Sequence, residues 1–229
     1  MKAIFAIALL ALLPQDLPGA KPVSKPEWMK RHDGFVAEAM KGECELLLLG
    51  DSITDGWRGK PKAYEAAFGA YKPLNFGISG DRTQHVLWRI QNGEMDGIKP
   101  RAAVLMIGTN NIGQKDPEKA ESAIEGIKAI VAEIRKKSPA TKVLLLGIFP
   151  RGEKSDNPHR ATIKQINADV AKLDDGGKTL QFLDIGEKFL QPDGSISKEI
   201  MGDFLHLTDK GYQTWAEAIK EPLAKLMKG

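Results

Sequence analysis

The chain has 229 residues, a formal net charge of +3 at pH 7 and a single cysteine. This length suits one sizeable α/β domain, and the small charge, without a basic stretch, argues against a nucleic-acid-binding protein. One cysteine excludes an internal disulfide. We interpret Cys44 as a small buried apolar residue. The histidines and the cysteine form no cluster with zinc-ligand spacing, so no metal site is expected.

The N-terminus has the pattern of a secretory signal peptide. Lys2 is followed by an apolar run over residues 3–13 and by small residues up to Ala20, which is the order of a leader. The run is too short to span a bilayer permanently, so no stable membrane insertion is expected after cleavage. We therefore predict a signal peptide over residues 1–20 and a secreted or periplasmic protein.

The end of this leader is less regular than its apolar run. The small-x-small cleavage pattern is imperfect, because Leu17 or Pro18 would fill the upstream position. An uncleaved anchor and an N-terminal helix packed on the domain are therefore alternatives. Residues 21–27, rich in lysine and proline, are predicted to be a linker, and residues 28–229 a single domain.

Helix and strand patterns alternate along that domain. Residues 28–40 have a loose helical pattern, in which we interpret His32 as a solvated surface histidine. Five apolar runs typical of buried strands follow, over residues 46–49, 74–77, 102–108, 142–147 and 179–184. Helices are predicted around them, over residues 61–68, 84–91, 117–137, 159–173 and 209–227. This alternation predicts an α/β fold, a three-layer α/β/α sandwich on a flavodoxin-like five-stranded parallel sheet.

Several polar residues are expected to meet at the carboxyl edge of that sheet. Ser52 follows the first predicted strand, Gly80 the second and Asn110 the third, while Asp203 and His206 precede the last helix. The carboxyl ends of parallel strands share one edge, and ligands bind there. Taken alone, Gly-Asp-Ser is as typical of a surface turn, so the meaning of each position depends on the others.

The residue types at these positions fit acyl transfer. A serine hydroxyl needs a base to take its proton, and histidine titrates in the right range. A carboxylate commonly holds the histidine tautomer, and Asp203 lies three residues before His206. The oxyanion of a tetrahedral intermediate needs fixed donors. The backbone N–H groups of Ser52 and Gly80 and the side-chain amide of Asn110 are the candidates.

Four sequence blocks resemble those of the SGNH (GDSL-type) hydrolase family. They are Gly50-Asp51-Ser52-Ile53, Gly77-x-x-Gly80, Gly108-Thr109-Asn110-Asn111 and Asp203-x-x-His206, in the family's order. Residues 75–83 and 85–94 are more similar still to the catalytic subunits of platelet-activating-factor acetylhydrolase type Ib and their bacterial relatives. The resemblance covers nearly the whole domain and implies the SGNH hydrolase fold.

The resemblance implies a serine esterase that acts on short acyl groups, often acetyl, with no metal and no cofactor. In that scheme Ser52 is the nucleophile, and Asp203 and His206 complete the catalytic triad. The oxyanion hole consists of Ser52, Gly80 and Asn110.

The same resemblance assigns the acyl end of the substrate to Ile53, Thr109 and Leu205. Ile53 stands where the family name has leucine. Asp51 becomes a structural residue of the turn that presents the serine. The animal acetylhydrolases are cytosolic, so the leader pattern departs from them and weakens a lipid-mediator assignment.

Other residues near these blocks have simpler interpretations. Ser79 is a poor rival nucleophile, because its surroundings lack the G-x-S-x-G spacing. His85 fits the pocket wall and the core equally well. Arg151 is placed where it could reach the substrate, but we interpret it as a solvated loop arginine. For four aromatic residues, core packing is the default over a role in the cleft: Trp57, Trp88, Phe149 and Phe204.

The predicted function is hydrolysis of short-chain, acetyl-type esters through an acyl-enzyme intermediate, with an acetylated carbohydrate as the favoured substrate. A phospholipid, lysophospholipid or platelet-activating-factor-like ester is the alternative. A non-catalytic binding module on the same fold is an alternative of another class. A flavodoxin-like nucleotide or receiver domain would leave Ser52 and His206 without a role. The expected partner is a small-molecule or carbohydrate ester and no nucleic acid, and a homodimer stays open.

Overall fold

The computed structural model describes residues 17–228 of the chain. Five strands form one parallel sheet in the order β2-β1-β3-β4-β5. They are β1 (Leu46–Gly50), β2 (Pro73–Gly77), β3 (Ala102–Met106), β4 (Lys142–Leu146) and β5 (Leu180–Leu183). The predicted flavodoxin-like parallel sheet is therefore confirmed. Because β1 lies between β2 and β3, the residues that follow these three strands become neighbours at the carboxyl edge.

Helices cover both faces of the sheet. They are α1 (Met29–Ala39), α2 (Ser52–Asp55), α3 (Pro61–Phe68), α4 (Thr83–Arg89), α5 (Thr109–Gly113), α6 (Ala120–Lys137), α7 (His159–Val170) and α8 (Asp209–Lys228). Helices α1, α4, α6 and α7 pack on one face, and α3 and α8 on the other. The predicted three-layer α/β/α architecture is confirmed.

The leucine run of β1 shows why the sheet is buried on both sides. Leu46, Leu47, Leu48 and Leu49 are each 0% exposed. Successive side chains of a strand point to opposite faces, so Leu47 and Leu49 join one core while Leu46 and Leu48 join the other. Each buried leucine contributes roughly 1.5–3 kcal/mol. A continuous apolar run, rather than an alternating one, is what a doubly covered strand needs.

The segment after β3 differs from the sequence prediction. The strand ends two residues earlier than predicted, and Thr109–Gly113 form the short helix α5. Gly108 has φ +127°, a conformation that glycine adopts readily, which allows the sharp turn into this helix. Helix α6 begins at Ala120 rather than at residue 117. The backbone N–H of Glu118 donates to the Asn111 carbonyl at 2.6 Å. This bond closes a loop after α5, and α6 begins only beyond that loop.

Residues 17–28, here called the N-terminal strap, pack against the domain. Pro18–Ala20 form a 3-10 turn in which Gly19 is buried. The Gly19 N–H donates to Ser122 Oγ at 2.7 Å, and its carbonyl accepts from Thr83 Oγ1 at 2.9 Å. A Cβ atom at Gly19 would lie 2.1 Å from the Ser122 carbonyl oxygen. Only glycine therefore fits this contact, which ties the strap to α4 and α6.

Most of the predicted signal peptide lies outside the described residues, which begin at residue 17. Its last residues and the predicted linker over 21–27 belong to the N-terminal strap. The cleavage site and the linker stay predictions. Within residues 17–228, no helix combines the length and the apolar character that a bilayer crossing requires.

A buried ion cluster lies beside the second strand. The prediction of a solvated His32 is wrong, because the residue is 3% exposed. Its Nδ1 is 3.1 Å from Glu94 Oε1, and its Nε2 is 3.1 Å from the Asn92 carbonyl oxygen. Arg89 contacts Glu94 and donates through Nε to Asp81 Oδ2 at 3.0 Å. Buried charges need such pairing, and the cluster fixes the position of Asp81.

Candidate active site

Ser52 is positioned by the turn from β1 into α2. Asp51 caps this helix, its Oδ1 accepting from the Ile53 N–H at 3.0 Å, which satisfies one of the helix's free donors. A Cβ atom at Gly50 would lie 2.4 Å from the Met106 carbonyl oxygen, so glycine lets the turn lie against β3. Ser52 is the first residue of α2 and is partly exposed. Its N–H therefore has no acceptor within the helix.

Neighbouring elements hold the same turn in place. The Tyr212 hydroxyl, from α8, donates to the Ile53 carbonyl at 2.8 Å. A Cβ atom at Gly56 would lie 2.0 Å from that hydroxyl oxygen, so glycine makes room for it. From β2, the Asn75 side-chain amide donates to the Thr54 carbonyl at 2.9 Å. The short helix that carries Ser52 is thus tied to both α8 and the sheet.

Ser52, His206 and Asp203 form a hydrogen-bonded chain. Ser52 Oγ is 2.9 Å from His206 Nε2, and His206 Nδ1 is 2.7 Å from Asp203 Oδ2. In the tautomer with the proton on Nδ1, the ring donates to the carboxylate and Nε2 can accept the serine proton. Burial works to raise the pKa of Asp203, but hydrogen bonds from the His206 ring and backbone outweigh it and hold the pKa below its usual range. The carboxylate is therefore ionised at neutral pH.

A single tight turn carries both Asp203 and His206. Asp203 Oδ1 accepts from the N–H groups of Leu205 at 3.1 Å and His206 at 2.7 Å. Phe204 between them has φ +60°, a left-handed conformation that costs a non-glycine residue roughly 1–2 kcal/mol. Its carbonyl accepts from the Gly152 N–H at 2.9 Å. These bonds offset the strain and keep the carboxylate and the imidazole on one turn.

Gly80 and Asn110 lie at the ends of the two strands next to β1. Gly80 has φ +78°, which brings its backbone to the edge of the site without the strain that a side chain would add. The Asn110 side-chain amide donates to the Asp81 carbonyl at 2.9 Å. That bond fixes the amide and leaves its second N–H available for another acceptor. The structure therefore brings the predicted oxyanion donors to the same edge as Ser52.

Two buried carboxyl groups, those of Asp51 and Asp81, lie near the carboxyl edge of the sheet. Asp51 is 0% exposed, and its Oδ2 has no hydrogen-bond partner among residues 17–228. Burial raises the pKa of Asp51 to about 7, and the charge of Asp81 adds to the rise. Burial also raises the pKa of Asp81 to about 6, against the opposing charge of Arg89. Asp51 is therefore partly protonated near neutral pH.

The predicted acyl-end residues come from three elements of this edge. Ile53 lies on α2, Thr109 on α5, and Leu205 on the turn before α8. Ile53 and Thr109 are buried, whereas Leu205 is partly exposed and packs against the core under α8. Of the three, only Leu205 therefore presents surface at this edge, and the acyl-end assignment stays a prediction.

Arg151 contacts Thr109, a predicted site residue, whereas the preferred sequence interpretation placed it in solvent. Its Nη1 donates to the Thr109 carbonyl at 3.2 Å and to the Thr109 hydroxyl at 3.0 Å, so the prediction of a solvated arginine is wrong. Burial lowers the pKa of Arg151, while the charges of Asp51 and Asp203 oppose that effect. Arg151 follows β4 at the carboxyl edge, so the strand-end argument used for the other positions could have found it.

Neither His85 nor Cys44 has the environment of a catalytic group. His85 Nδ1 accepts from the Arg82 N–H at 2.9 Å at the start of α4. Burial lowers the pKa of His85 to about 3, so the ring is neutral and structural. Cys44 is buried as expected, and burial raises the pKa of its thiol to about 12. In the described part of the chain, no group of three His, Cys, Asp or Glu side chains could hold a metal ion.

The four aromatic residues pack in or against the two cores. Trp57 and Phe149 are fully buried in the core under α8. Trp88 packs on Trp28, with ring centroids 5.7 Å apart, on the opposite face. Phe204 is partly exposed beside Asp203. Phe204 also packs against the core under α8, so core packing, the default interpretation, holds for all four residues.

A hydrogen-bonded serine, histidine and aspartate at the carboxyl edge of a parallel sheet is the arrangement of a serine hydrolase. The model of the GDSL-like Lipase/Acylhydrolase family matches residues 48–214. The chain belongs to this family and is a carboxylic ester hydrolase. The resemblance inferred from the sequence blocks is confirmed.

Individual relatives agree with this family. The human platelet-activating factor acetylhydrolase IB subunit alpha1 is 36% identical over 219 residues, which cover 93% of this chain and 92% of the relative. A GDSL-like lipase from Bacteroides thetaiotaomicron superposes with a TM-score of 0.69 at 21% identity, covering 86% of this chain and 97% of that structure. An acetylxylan esterase from Geobacillus stearothermophilus superposes with a TM-score of 0.62 at 20% identity, covering 80% and 94%. At these identities the two structures share the fold.

Proposed function

We propose that this protein is a serine esterase that uses Ser52, His206 and Asp203 as a catalytic triad. The observation that carries the proposal is the hydrogen-bonded chain from Ser52 Oγ to His206 Nε2, 2.9 Å, and from His206 Nδ1 to Asp203, 2.7 Å. This geometry meets the requirement that nucleophile, base and orienting carboxylate lie within hydrogen-bond reach of one another.

The reaction follows from these contacts. Ser52 Oγ attacks the acyl carbonyl carbon while its proton passes to His206 Nε2, and Asp203 stabilises the imidazolium that forms. The negative charge on the carbonyl oxygen is stabilised by the Ser52 and Gly80 N–H groups and the Asn110 amide. The imidazolium then gives its proton to the departing alcohol, which leaves an acyl-enzyme. Water, deprotonated by His206, attacks this ester and releases the acid and the free serine.

The acyl group in this proposal is short, with acetyl as the favoured case. The human relative, whose match covers 93% of this chain, is named an acetylhydrolase. Ile53, Thr109 and Leu205 would contact the acyl end. Arg151 donates to the hydroxyl and the carbonyl of Thr109, which supports a fixed position for Thr109.

For the alcohol portion of the ester we favour a carbohydrate. Asp203 and His206 have side chains that are 59% and 46% exposed, so the triad is open to a bulky polar substrate. The large hydrophobic side chains exposed within residues 17–228 are Val23 and Met40. Two isolated side chains do not make the extended apolar patch that would favour a lipid surface. The alternative, a platelet-activating-factor-like phospholipid ester, is favoured by the name of the human relative.

Export from the cytoplasm is part of the same proposal. The leader pattern over residues 1–20 supports a secreted or periplasmic enzyme, and polymeric carbohydrate esters are substrates found outside the cell membrane. The mass of the mature N-terminus, measured on protein purified from its native compartment, tests this point. An intact Met1 on protein recovered from the cytosol contradicts export.

The experiment compares the wild type, Ser52→Ala and the matched control Ser79→Ala, an exposed serine one residue before Gly80. Initial rates are measured on p-nitrophenyl acetate, butyrate and octanoate, on acetylated xylo-oligosaccharides and on a 2-acetyl phospholipid. We expect loss of all activity in Ser52→Ala alone, and acetyl preferred over octanoyl. Wild-type rates in Ser52→Ala would refute the triad. Failure of the wild type to react with a fluorophosphonate would instead support a binding module.

A further inference from the structure

Two side chains from outside the predicted site hold the carbonyl of Gly80. Lys25 Nζ donates to this oxygen at 3.2 Å, and Gln114 Nε2 donates to it at 3.1 Å. Gln114 is itself held, because its Oε1 accepts from Arg82 Nε at 3.2 Å. The Lys25 bond is charge-assisted and therefore stronger than a neutral one. The Gly80 carbonyl thus has two fixed donors, of which one is a cation.

The turn that contains this carbonyl supports both side-chain and backbone donors of the oxyanion hole. It is closed by the Asp81 N–H, which donates to the Ile78 carbonyl at 3.2 Å. Gly80 supplies its own N–H, and the Asp81 carbonyl accepts from the Asn110 amide at 2.9 Å. A shift of this turn therefore moves the Gly80 donor directly and the Asn110 donor through its anchor. Sub-ångström placement of such donors decides how well they stabilise an oxyanion.

The N-terminal strap brings Lys25 to this turn from a fixed backbone. Beyond the predicted leader over residues 1–20, the Val23 N–H donates to the Gln84 carbonyl at 3.1 Å. Trp28, at the other end of the strap, is 5% exposed and packs in the core. Lys25 therefore starts from a segment that is held on both sides, which lowers the entropy cost of fixing its long side chain.

We propose that Lys25 is a positioning residue for the oxyanion hole, and that the N-terminal strap is part of the active site for this reason. The inference rests on the proposed roles of Gly80 and Asn110 in ester hydrolysis. Lys25 itself touches neither the serine nor the histidine in the hydrogen-bonded chain. It acts by keeping the Gly80 carbonyl, and with it the donor turn, in one orientation.

The test compares Lys25→Met with the matched control Lys30→Met, an exposed lysine on α1. Steady-state kinetics on p-nitrophenyl acetate are normalised to the concentration of serine titrated by a fluorophosphonate, so that only folded enzyme counts. A donor-positioning role predicts a fall in kcat of about tenfold with KM within about twofold, because the loss falls on the transition state. Lys30→Met should keep both parameters.

A coupling measurement separates positioning from a general loss of structure. In an Asn110→Ala background, part of what Lys25 supports is already gone. Lys25→Met should then lower kcat by about threefold or less, because effects on one network are not additive. A merely structural role would give the same factor in both backgrounds.

The results that overturn the inference are specific. They are a kcat for Lys25→Met within about twofold of the wild type, or an equal loss with and without Asn110. Ser52→Ala is assayed in parallel. If Ser52→Ala is active, the proposed function fails; if it is inactive and Lys25→Met is unaffected, only the inference about Lys25 fails.

Discussion

Replacing Asp51 by asparagine should change how the stability of this protein depends on pH. Asp51 is fully buried beside the serine, and burial raises its pKa to about 7. A carboxyl group whose pKa is raised in the folded state favours folding most below its unfolded pKa, and that contribution is lost as the pH rises through the folded value. The wild type should therefore lose stability between acid and mildly alkaline pH, and Asp51→Asn should lose less.

The magnitude follows from the size of the shift. A rise from 3.8 to about 7 is roughly three pKa units, which at about 1.4 kcal/mol each amounts to roughly 4 kcal/mol when fully developed. At pH 5 the carboxyl group is largely ionised in the unfolded chain but still protonated in the folded one, so roughly 1.5 kcal/mol of the stabilisation is already lost. A further loss of about 2.5 kcal/mol is therefore expected between pH 5 and pH 8. The introduced asparagine side chain can still accept from the Ile53 N–H, and any cost of its buried NH₂ group is the same at both pH values.

Urea unfolding at pH 5 and pH 8 measures this difference. The readout is the change in unfolding free energy between the two pH values, so a constant offset in the variant does not matter. Asp33→Asn, at an exposed position on α1, serves as the control and should keep the wild-type pH dependence. If Asp51→Asn shows the same loss between pH 5 and pH 8 as the wild type, the reasoning about the buried carboxyl is refuted.

Two further substitutions test a proposed oxyanion donor and a hydrogen bond that holds the turn carrying Ser52. Asn110→Ala should lower kcat on p-nitrophenyl acetate by about a hundredfold with little change in KM, because it removes one oxyanion donor; a loss below about threefold would contradict that role. Tyr212→Phe removes the donor to the buried Ile53 carbonyl, 2.8 Å away. The free energy of unfolding should fall by about 1–2 kcal/mol, measured by urea titration, and a value unchanged within about 0.3 kcal/mol would show that water replaces the hydroxyl.

The position of the site could be predicted because it depends on topology more than on local detail. Gly50, Gly77 and Met106 end three adjacent parallel strands. The residues just beyond them must therefore share one edge, whatever the exact lengths of the elements. From this rule the sequence predicts that Ser52 and Asn110 lie at the same edge. The sequence alone did not predict the short helix α5 that carries Asn110.

The parts that sequence analysis missed depend on contacts between distant segments. Gly19 binds Ser122, 103 residues away, and no local pattern announces such a partner. His32 was misinterpreted for the same reason, because its neighbours in sequence are charged whereas its partner, Glu94, lies 62 residues further along the chain. Arg151 follows a strand end like the other site residues. The sequence interpretation nevertheless placed it in solvent, because arginine side chains are usually exposed.

The last turn of helix α8 is a suitable position at which to attach a fusion partner or a solid support. The helix begins three residues after His206 and runs for 20 residues to Lys228, a length of about 30 Å at 1.5 Å per residue. Its last turn lies beside Lys142 at the amino end of β4, and so at the opposite edge of the sheet from Ser52 and His206. It also lies on the other face of the sheet from Trp28 of the strap. A resin, a reporter or a carbohydrate-binding module joined there would leave Ser52 accessible to large substrates. The same partner joined to the N-terminal strap would be attached to the segment that carries Lys25.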